Sequence, residues 1–211
     1  MTLPLDFASL LCSRLCHDLV SPVGALTNGV ELLADETDPK MREQCMELLA
    51  DTARQTAAKL KFFRLAFGAA GGYGEQIDLG EVKAAIDGLF QGSRVEVAWA
   101  IPMASLSKTA VKALLNLAMM VGDGLLRGGT LTIAAQTDAD GLELVVRADG
   151  PRTLLTEDLR RTLLGQIDPA SLDPRAAPAY LVRQLVTQAS GTLALSEVGE
   201  PHIAVGVRLP G

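Results

Sequence analysis

Leu11, Leu15, Leu19, Pro22, Leu26, Val30 and Leu33 recur at steps of four, four, three, four, four and three. That spacing commits the first part of the chain to one long amphipathic helix with a bundle-type seam. At about 100° per residue, the centre of the stripe lies roughly 190° from His17. The imidazole therefore faces away from the seam. Ser13, Ser21, Gly24, Asn28 and Glu31 share its face, all small or polar. Asp6 is a plausible N-cap, and the pattern carries the helix to about Asp35. Pro22 removes one backbone donor and predicts a kink or loosened turn just after His17. Gly24 and Gly29 weaken the helix further, by up to about 1 kcal/mol each relative to alanine. A low-profile backbone of this kind suits the docking of a partner, although close helix packing would also use it.

Asp38 and Pro39 form a cap and a first helical residue for a second helix, to about Phe67. Its seam is Met41, Cys45, Leu48, Thr52, Thr56, Leu60, Phe63 and Phe67. Two helices of similar length joined by a short turn make an antiparallel hairpin. One hairpin cannot bury both seams, whereas two can do so as a four-helix bundle. Homodimerisation through residues 1–67 follows as an expectation.

Net charge is −6, which disfavours nucleic acid and anionic membranes as partners. Charged residues interrupt every apolar run, so no membrane span is expected. Met1-Thr-Leu-Pro-Leu-Asp6 lacks the basic region of a secretory leader, and the expected compartment is the cytoplasm. Cys12, Cys16 and Cys45 fall in the helical region. Cys12 and Cys16 beside His17 make a metal site conceivable, but no further ligands stand at zinc spacing. Buried or half-buried packing is the expected fate of all three thiols.

Gly68 to Gly74 is rich in glycine and marks a linker over 68–76. Beyond it helices and strands alternate. Asp78 with Glu81 reads as a capping box opening a helix to Phe90. A strand is expected over 94–100, and an apolar helix from Ser107 to Leu126. Gly129–Thr137 and Leu142–Arg147 form a hairpin around Asp-Ala-Asp-Gly141. Thr156 caps a helix to Leu164, residues 166–178 form a loop, and Ala179–Ala189 is helical. Gly191–Ser196 and His202–Leu209 close the chain as a second hairpin. This order predicts an α+β protein, its residues 77–211 a two-layer α/β sandwich with helices on one sheet face.

Imidazole is a fair nucleophile near neutral pH, and a phosphoryl group placed on it is readily passed on. Asp18 follows His17 directly. A carboxylate there can fix the ring tautomer and act as general base. His202, in the last hairpin, has no such company and reads as structural.

The string His17-Asp18-Leu19-Val20-Ser21-Pro22-Val23 resembles the H-box of bacterial sensor histidine kinases, His-Glu-hydrophobic-x-Thr-Pro-hydrophobic. The resemblance implies a dimerisation and histidine-phosphotransfer hairpin over 1–67 and a histidine-kinase-like (Bergerat-type) ATP-binding fold over 77–211. The nucleotide boxes of such kinases are degenerate here. Leu114-Leu115-Asn116-Leu117-Ala118-Met119-Met120 places Met120 where the kinases hold Mg²⁺ with asparagine, and a thioether suits that hard cation poorly. Val146-Arg147-Ala148-Asp149-Gly150-Pro151-Arg152 places Ala148 at the adenine-reading aspartate and Arg152 at a glycine. Asp149 would restore the acid only through a shift of one residue. Ala177-Pro178-Ala179-Tyr180-Leu181 has no glycine where a phosphate loop needs it; Ala179 stands at one such place.

A kinase-shaped chain with its histidine kept and its nucleotide boxes lost is similar to the alphaproteobacterial histidine phosphotransferases of the ChpT family. Asn28-Gly29 and Glu31 downstream extend that match. The resemblance implies a phosphorelay protein. His17 would carry a phosphoryl group from the receiver domain of a hybrid histidine kinase to response regulators, including those of cell-cycle control. The chain would bind no cofactor, and Mg²⁺ would come in the partner's receiver domain. Ser13, Arg14, Ser21, Gly24 and Asn28 would form the contact surface for the receiver. Two other readings compete: a divergent but active ATP-dependent kinase, and a non-enzymatic dimeric adaptor in which His17 is incidental.

Overall fold

Two helices of unequal partnership begin the chain. The computed structural model describes residues 4–68 and 76–211. Helix α1 spans Pro4–Asp35 and α2 spans Pro39–Phe67, packed side by side as an antiparallel hairpin. Asp38 caps α2, its Oδ1 accepting from the backbone N–H groups of Lys40 and Met41 at 2.8 and 3.0 Å. Asp6 does not cap α1. The helix starts earlier, and Asp6 lies in its first turn, where an acid favours the helix dipole. Helix α1 runs through Pro22 unbroken. The proline leaves the carbonyl of Asp18, four residues back, without its helical N–H donor. Residues 69–75 of the expected linker lie outside the described residues.

The rest of the chain follows as β1 (Gln76–Asp78), α3 (Leu79–Phe90), β2 (Val95–Ala100), β3 (Ser105–Ser107) and α4 (Lys108–Asp123). Next come β4 (Gly129–Asp138), β5 (Gly141–Asp149) and α5 (Glu157–Leu163). Two 3₁₀ turns, Pro169–Ser171 and Pro174–Ala176, precede α6 (Ala177–Gln188), β6 (Thr192–Leu195) and β7 (His202–Leu209). The large sheet has the order β2-β4-β5-β7-β6. Strands β2 and β4 are parallel, joined through α4, and the other pairs are antiparallel. Strands β1 and β3 form a separate two-stranded ribbon that sequence periodicity had not suggested. The expected helix over 107–126 ends earlier, at Asp123, because Gly122 and Gly124 bracket its last residue and Leu125 enters a bridge with Thr153. The expected loop over 166–178 contains the two 3₁₀ turns, and α6 starts earlier than expected because Pro178 sits in its first turn.

Helix α4 is the centre of the molecule. Leu114, Leu115, Leu117, Ala118 and Val121 are fully buried, between the sheet on one side and α2, α3 and α6 on the others. The final turns of α2 join this core through Phe62, Phe63, Leu65 and Ala66. Burying each of those phenyl and leucyl groups is worth roughly 1.5–3 kcal/mol. The opposite end of the hairpin projects beyond the core, and Val23, Val30, Met41 and Leu48 are exposed there. The expected seam is therefore covered within the chain only in part: Val30, Met41, Leu48 and Leu60 remain open, while Gly29 closes against Leu49. Cys12 and Cys16 are exposed, contrary to expectation, Cys12 at the edge of an open groove that α1 forms with Leu60, Phe63 and Phe67 of α2. Cys45 is half-buried, its thiol donating to the carbonyl of Gly29 at 3.3 Å. Among the described residues no helix is long and apolar enough to cross a membrane.

Candidate functional site

His17 stands on the outer face of α1 with 63% of its side chain exposed. Ser13, Ser21, Gly24 and Asn28 are also exposed, each within about 40° of it around the helix. A Cβ added at Gly24 would meet nothing within 4 Å, so this surface is open. His17 Nδ1 lies 3.0 Å from Asp18 Oδ1. An ionised carboxylate can only accept, so Nδ1 donates and the neutral ring keeps its lone pair on Nε2. Among the described residues Nε2 has no hydrogen bond.

Asp18 is in turn held from its other side. Its Oδ2 accepts from Arg14 Nε at 2.9 Å, and Arg14 Nη2 donates to Asp123 Oδ2 at 3.3 Å. Arg14 and Asp18 are only 15% and 18% exposed. Asp123 is the last residue of α4, so the chain of contacts His17–Asp18–Arg14–Asp123 runs from the outer face of α1 into the cleft below. That cleft also includes Lys59, Phe63, Phe90 and Met119. Asp123 is more than half open to water, yet protein walls the mouth of the cleft. The resulting desolvation raises its pKa above the ordinary carboxylate value, against the opposing pull of Arg14 and Lys59 and with the help of Asp18. Arg14, read from sequence as a contact for a partner, also holds this network together.

A second wall rises beside His17. Ser13, Arg14 and His17 face Asp173, Pro174 and Arg175 of the second 3₁₀ turn across a hollow of about 350 Å³. Asp173 shapes that turn by accepting from the Arg175 N–H at 2.7 Å. Phe7 of α1 meets Tyr180 of α6 edge to face, with ring centres 5.1 Å apart, and holds the two elements together. Sequence reasoning missed Asp123, Asp173 and Arg175. The one signal for Asp123 was its position: an acid at a helix C-terminus opposes the helix dipole and calls for a cation nearby. His202 is half-buried and paired with Glu200 at 2.9 Å, away from this site.

Three of the residues that stand at the nucleotide boxes are packed in the interior. Met120, Ala148 and Ala179 are 4%, 0% and 0% exposed and belong to the hydrophobic core. None offers oxygen to a cation or hydrogen bonds to a base. Arg152 is exposed. Asn116 is retained, but its Nδ2 donates to the carbonyls of Ala66 and Lys112 at 3.2 and 2.8 Å, tying α4 to the end of α2. Among the described residues no cluster of three or more His, Cys, Asp or Glu could hold a metal ion.

Residues 79–201, more than half of the chain, match the sequence profile of the histidine phosphotransferase C-terminal domain. The chain belongs to the histidine phosphotransferase family. Its similarity to other members extends well beyond the matched region. It is 32% identical over 197 residues to the protein phosphotransferase ChpT of Brucella abortus (strain 2308), which covers 93% of this chain and 92% of the relative. It superposes on a solved bacterial phosphotransferase with a TM-score of 0.86 and 29% identity, covering 99% of this chain and 98% of the other. The histidine phosphotransferase match lies in residues 79–201, whereas His17 lies on α1. The longer similarities cover both parts of the chain.

Proposed function

We propose that this histidine phosphotransferase works in a phosphorelay by carrying the phosphoryl group on Nε2 of His17. The observation that carries this reading is the fixed ring: Nδ1 is bound to Asp18 while Nε2 faces solvent unpaired. When a phosphorylated receiver domain docks, Nε2 attacks phosphorus. The N–P bond forms as the aspartyl P–O bond breaks, and the receiver's carboxylate leaves. The ring gains positive character, and its Nδ1 proton shifts toward Asp18, which serves as general base. Onward transfer is the reverse, with the carboxylate of a second receiver taking the phosphoryl group and the Nδ1 proton drawn back to the ring. The Mg²⁺ that such chemistry uses belongs to the receiver's acidic pocket rather than to this chain.

The donor in this reading is the receiver domain of a hybrid histidine kinase, and the acceptors are response regulators. Ser13, Ser21, Gly24 and Asn28 supply the landing surface on α1. Residues 77–211 serve as a docking scaffold and bind no ATP; the buried apolar side chains of Met120, Ala148 and Ala179 support this. Residues 1–67 supply the dimer interface, and the exposed pairs Val23–Val30 and Met41–Leu48, each seven residues apart, support that. A time course with phosphorylated receiver proteins tests the reading. Wild-type protein should acquire acid-labile label and His17→Ala none; equal labelling of both would overturn it. Calorimetry with Mg·ATP should show no binding, and micromolar affinity would favour the kinase alternative.

A further inference from the structure

Asp123 is poorly placed for stability. It ends α4, where the helix dipole already concentrates negative charge and an acid is disfavoured. Its carboxylate sits at the mouth of a partly desolvated cleft, within the field of a second acid, Asp18. Its partner Arg14 precedes Asp18 on α1, the less favourable order for a helical ion pair spaced by four. Neither acid–base contact is thus arranged for helix stability. What the arrangement does achieve is directional. Nε of Arg14 reaches Asp18 and Nη2 reaches Asp123, so the planar guanidinium is held at two points. A guanidinium held in this way leaves Asp18 one favourable orientation, with Oδ1 turned to His17.

We propose that Asp123 is a positioning residue for phosphotransfer: through Arg14 it fixes the Asp18 carboxylate against Nδ1 of His17, so that α4 sets the ring tautomer on α1. The proposal rests on His17 being the phosphoryl carrier. Asp123 itself touches neither the ring nor an incoming receiver's phosphoryl group. Its contribution is to keep Nδ1 protonated and Nε2 unprotonated before the receiver arrives, which raises the fraction of encounters that are productive. The charged groups facing Asp123 are Arg14 and Asp18 of α1 and Lys59 of α2. Lys59 supplies long-range attraction without a hydrogen bond to either acid among the described contacts.

The test uses the full chain and compares Asp123→Asn, Asp123→Glu, Arg14→Ala and the Arg14→Ala/Asp123→Asn pair. Two readouts are taken: transfer from a phosphorylated receiver across receiver concentrations, and ¹⁵N NMR of the His17 ring. Asp123→Asn should lower the saturating transfer rate about three- to tenfold, as a loss of up to ~1.4 kcal/mol in transition-state stabilisation gives. The half-saturating receiver concentration should stay where it was, and the melting temperature should hold or rise. The ring spectrum should move from the Nδ1–H tautomer toward a mixture. Asp123→Glu should restore most of the rate, and Asp123→Asn should add nothing once Arg14 is alanine. An unchanged saturating rate and tautomer in Asp123→Asn would overturn the proposal. So would an equal loss in the Arg14→Ala background, or a loss confined to half-saturation, since either makes Asp123 a docking residue. If His17→Ala transfers as well as wild type, the carrier reading fails by itself, and the ring spectrum still decides whether Asp123 controls the tautomer.

Discussion

Asp18 Oδ1 lies 3.0 Å from Nδ1 of His17, a contact between sequence neighbours that leaves Nε2 without a hydrogen bond among the described residues. The two side chains project about 100° apart on the helix, so the contact forms along the surface of α1 rather than across a pocket. Asp18→Asn keeps the shape but loses the charge that accepts the Nδ1 proton. An amide also pairs less well with Arg14, because its NH₂ would face the guanidinium in one of its two orientations. The transfer rate should fall by about 10²-fold, the lower range for a lost general base. Quenched time courses with a phosphorylated receiver measure this, and a fall of less than threefold would remove Asp18 from the mechanism.

Asn116 keeps the identity of a kinase box residue but has a structural task. It is fully buried, and its amide holds the carbonyl of Ala66 at the end of α2. Its Oδ1 has no partner, so the side chain already carries one unpaired acceptor. Asn116→Asp would place a charge beside two carbonyl oxygens. Such a group costs several kcal/mol or shifts its pKa and stays neutral, losing the donor pair either way. Urea unfolding should show a loss of about 3 kcal/mol or more, with the linkage of the hairpin to α4 weakened.

Local signals were legible in the sequence and contacts between distant segments were not. The caps Asp38, Asp78, Ser107 and Thr156 act within a turn of chain, and each sits where its spacing placed it, or one residue from it. Strands β1 and β3 have three residues each, too few for any alternation, and exist because Gln76 pairs with Ser107 across the chain. Leu125 and Leu126 continue the apolar pattern of α4, but Gly122 and Gly124 stop the helix before them. His17 and Asp18 could be read together because they are adjacent. Asp123 is 109 residues from Arg14, and their contact arises only when the end of α4 lies under α1. A carboxylate at a helix C-terminus was the remaining trace of that contact in the sequence.

Leu48 is 67% exposed and Met41, one heptad earlier, 51% exposed, on the same stripe of α2. Val23 and Val30 form a corresponding pair on α1, at 48% and 59%. Apolar residues repeated at seven are costly on a free surface and profitable in a bundle seam. Leu48→Glu would bury a charge in such a seam. Light scattering should find the wild-type chain at twice its 22.2 kDa mass and the variant at or near the single-chain value at low micromolar concentration. The His17 surface is on α1, so the monomeric variant also separates the need for a dimer from the need for the histidine. A wild-type chain that scatters as a monomer would contradict the bundle.

Asp123 gives stability a definite dependence on pH. Its folded pKa is raised above the model-compound value of 3.8, chiefly by desolvation. The unfolded chain therefore releases this proton first as pH rises, and the native state is destabilised from there until the folded group has ionised as well. Below the ordinary value both states hold the proton, and this contribution vanishes. Asparagine has no such titration. The melting temperature of Asp123→Asn relative to wild type should thus increase as pH rises above the ordinary carboxylate value, and level off above the folded pKa. Because the side chain is largely solvent-exposed, the shift is expected to be small, and differential scanning at closely spaced pH values is the suitable measurement. If the difference shrinks with rising pH, attraction to Arg14 outweighs desolvation, and Asp123 is held for stability rather than at its expense.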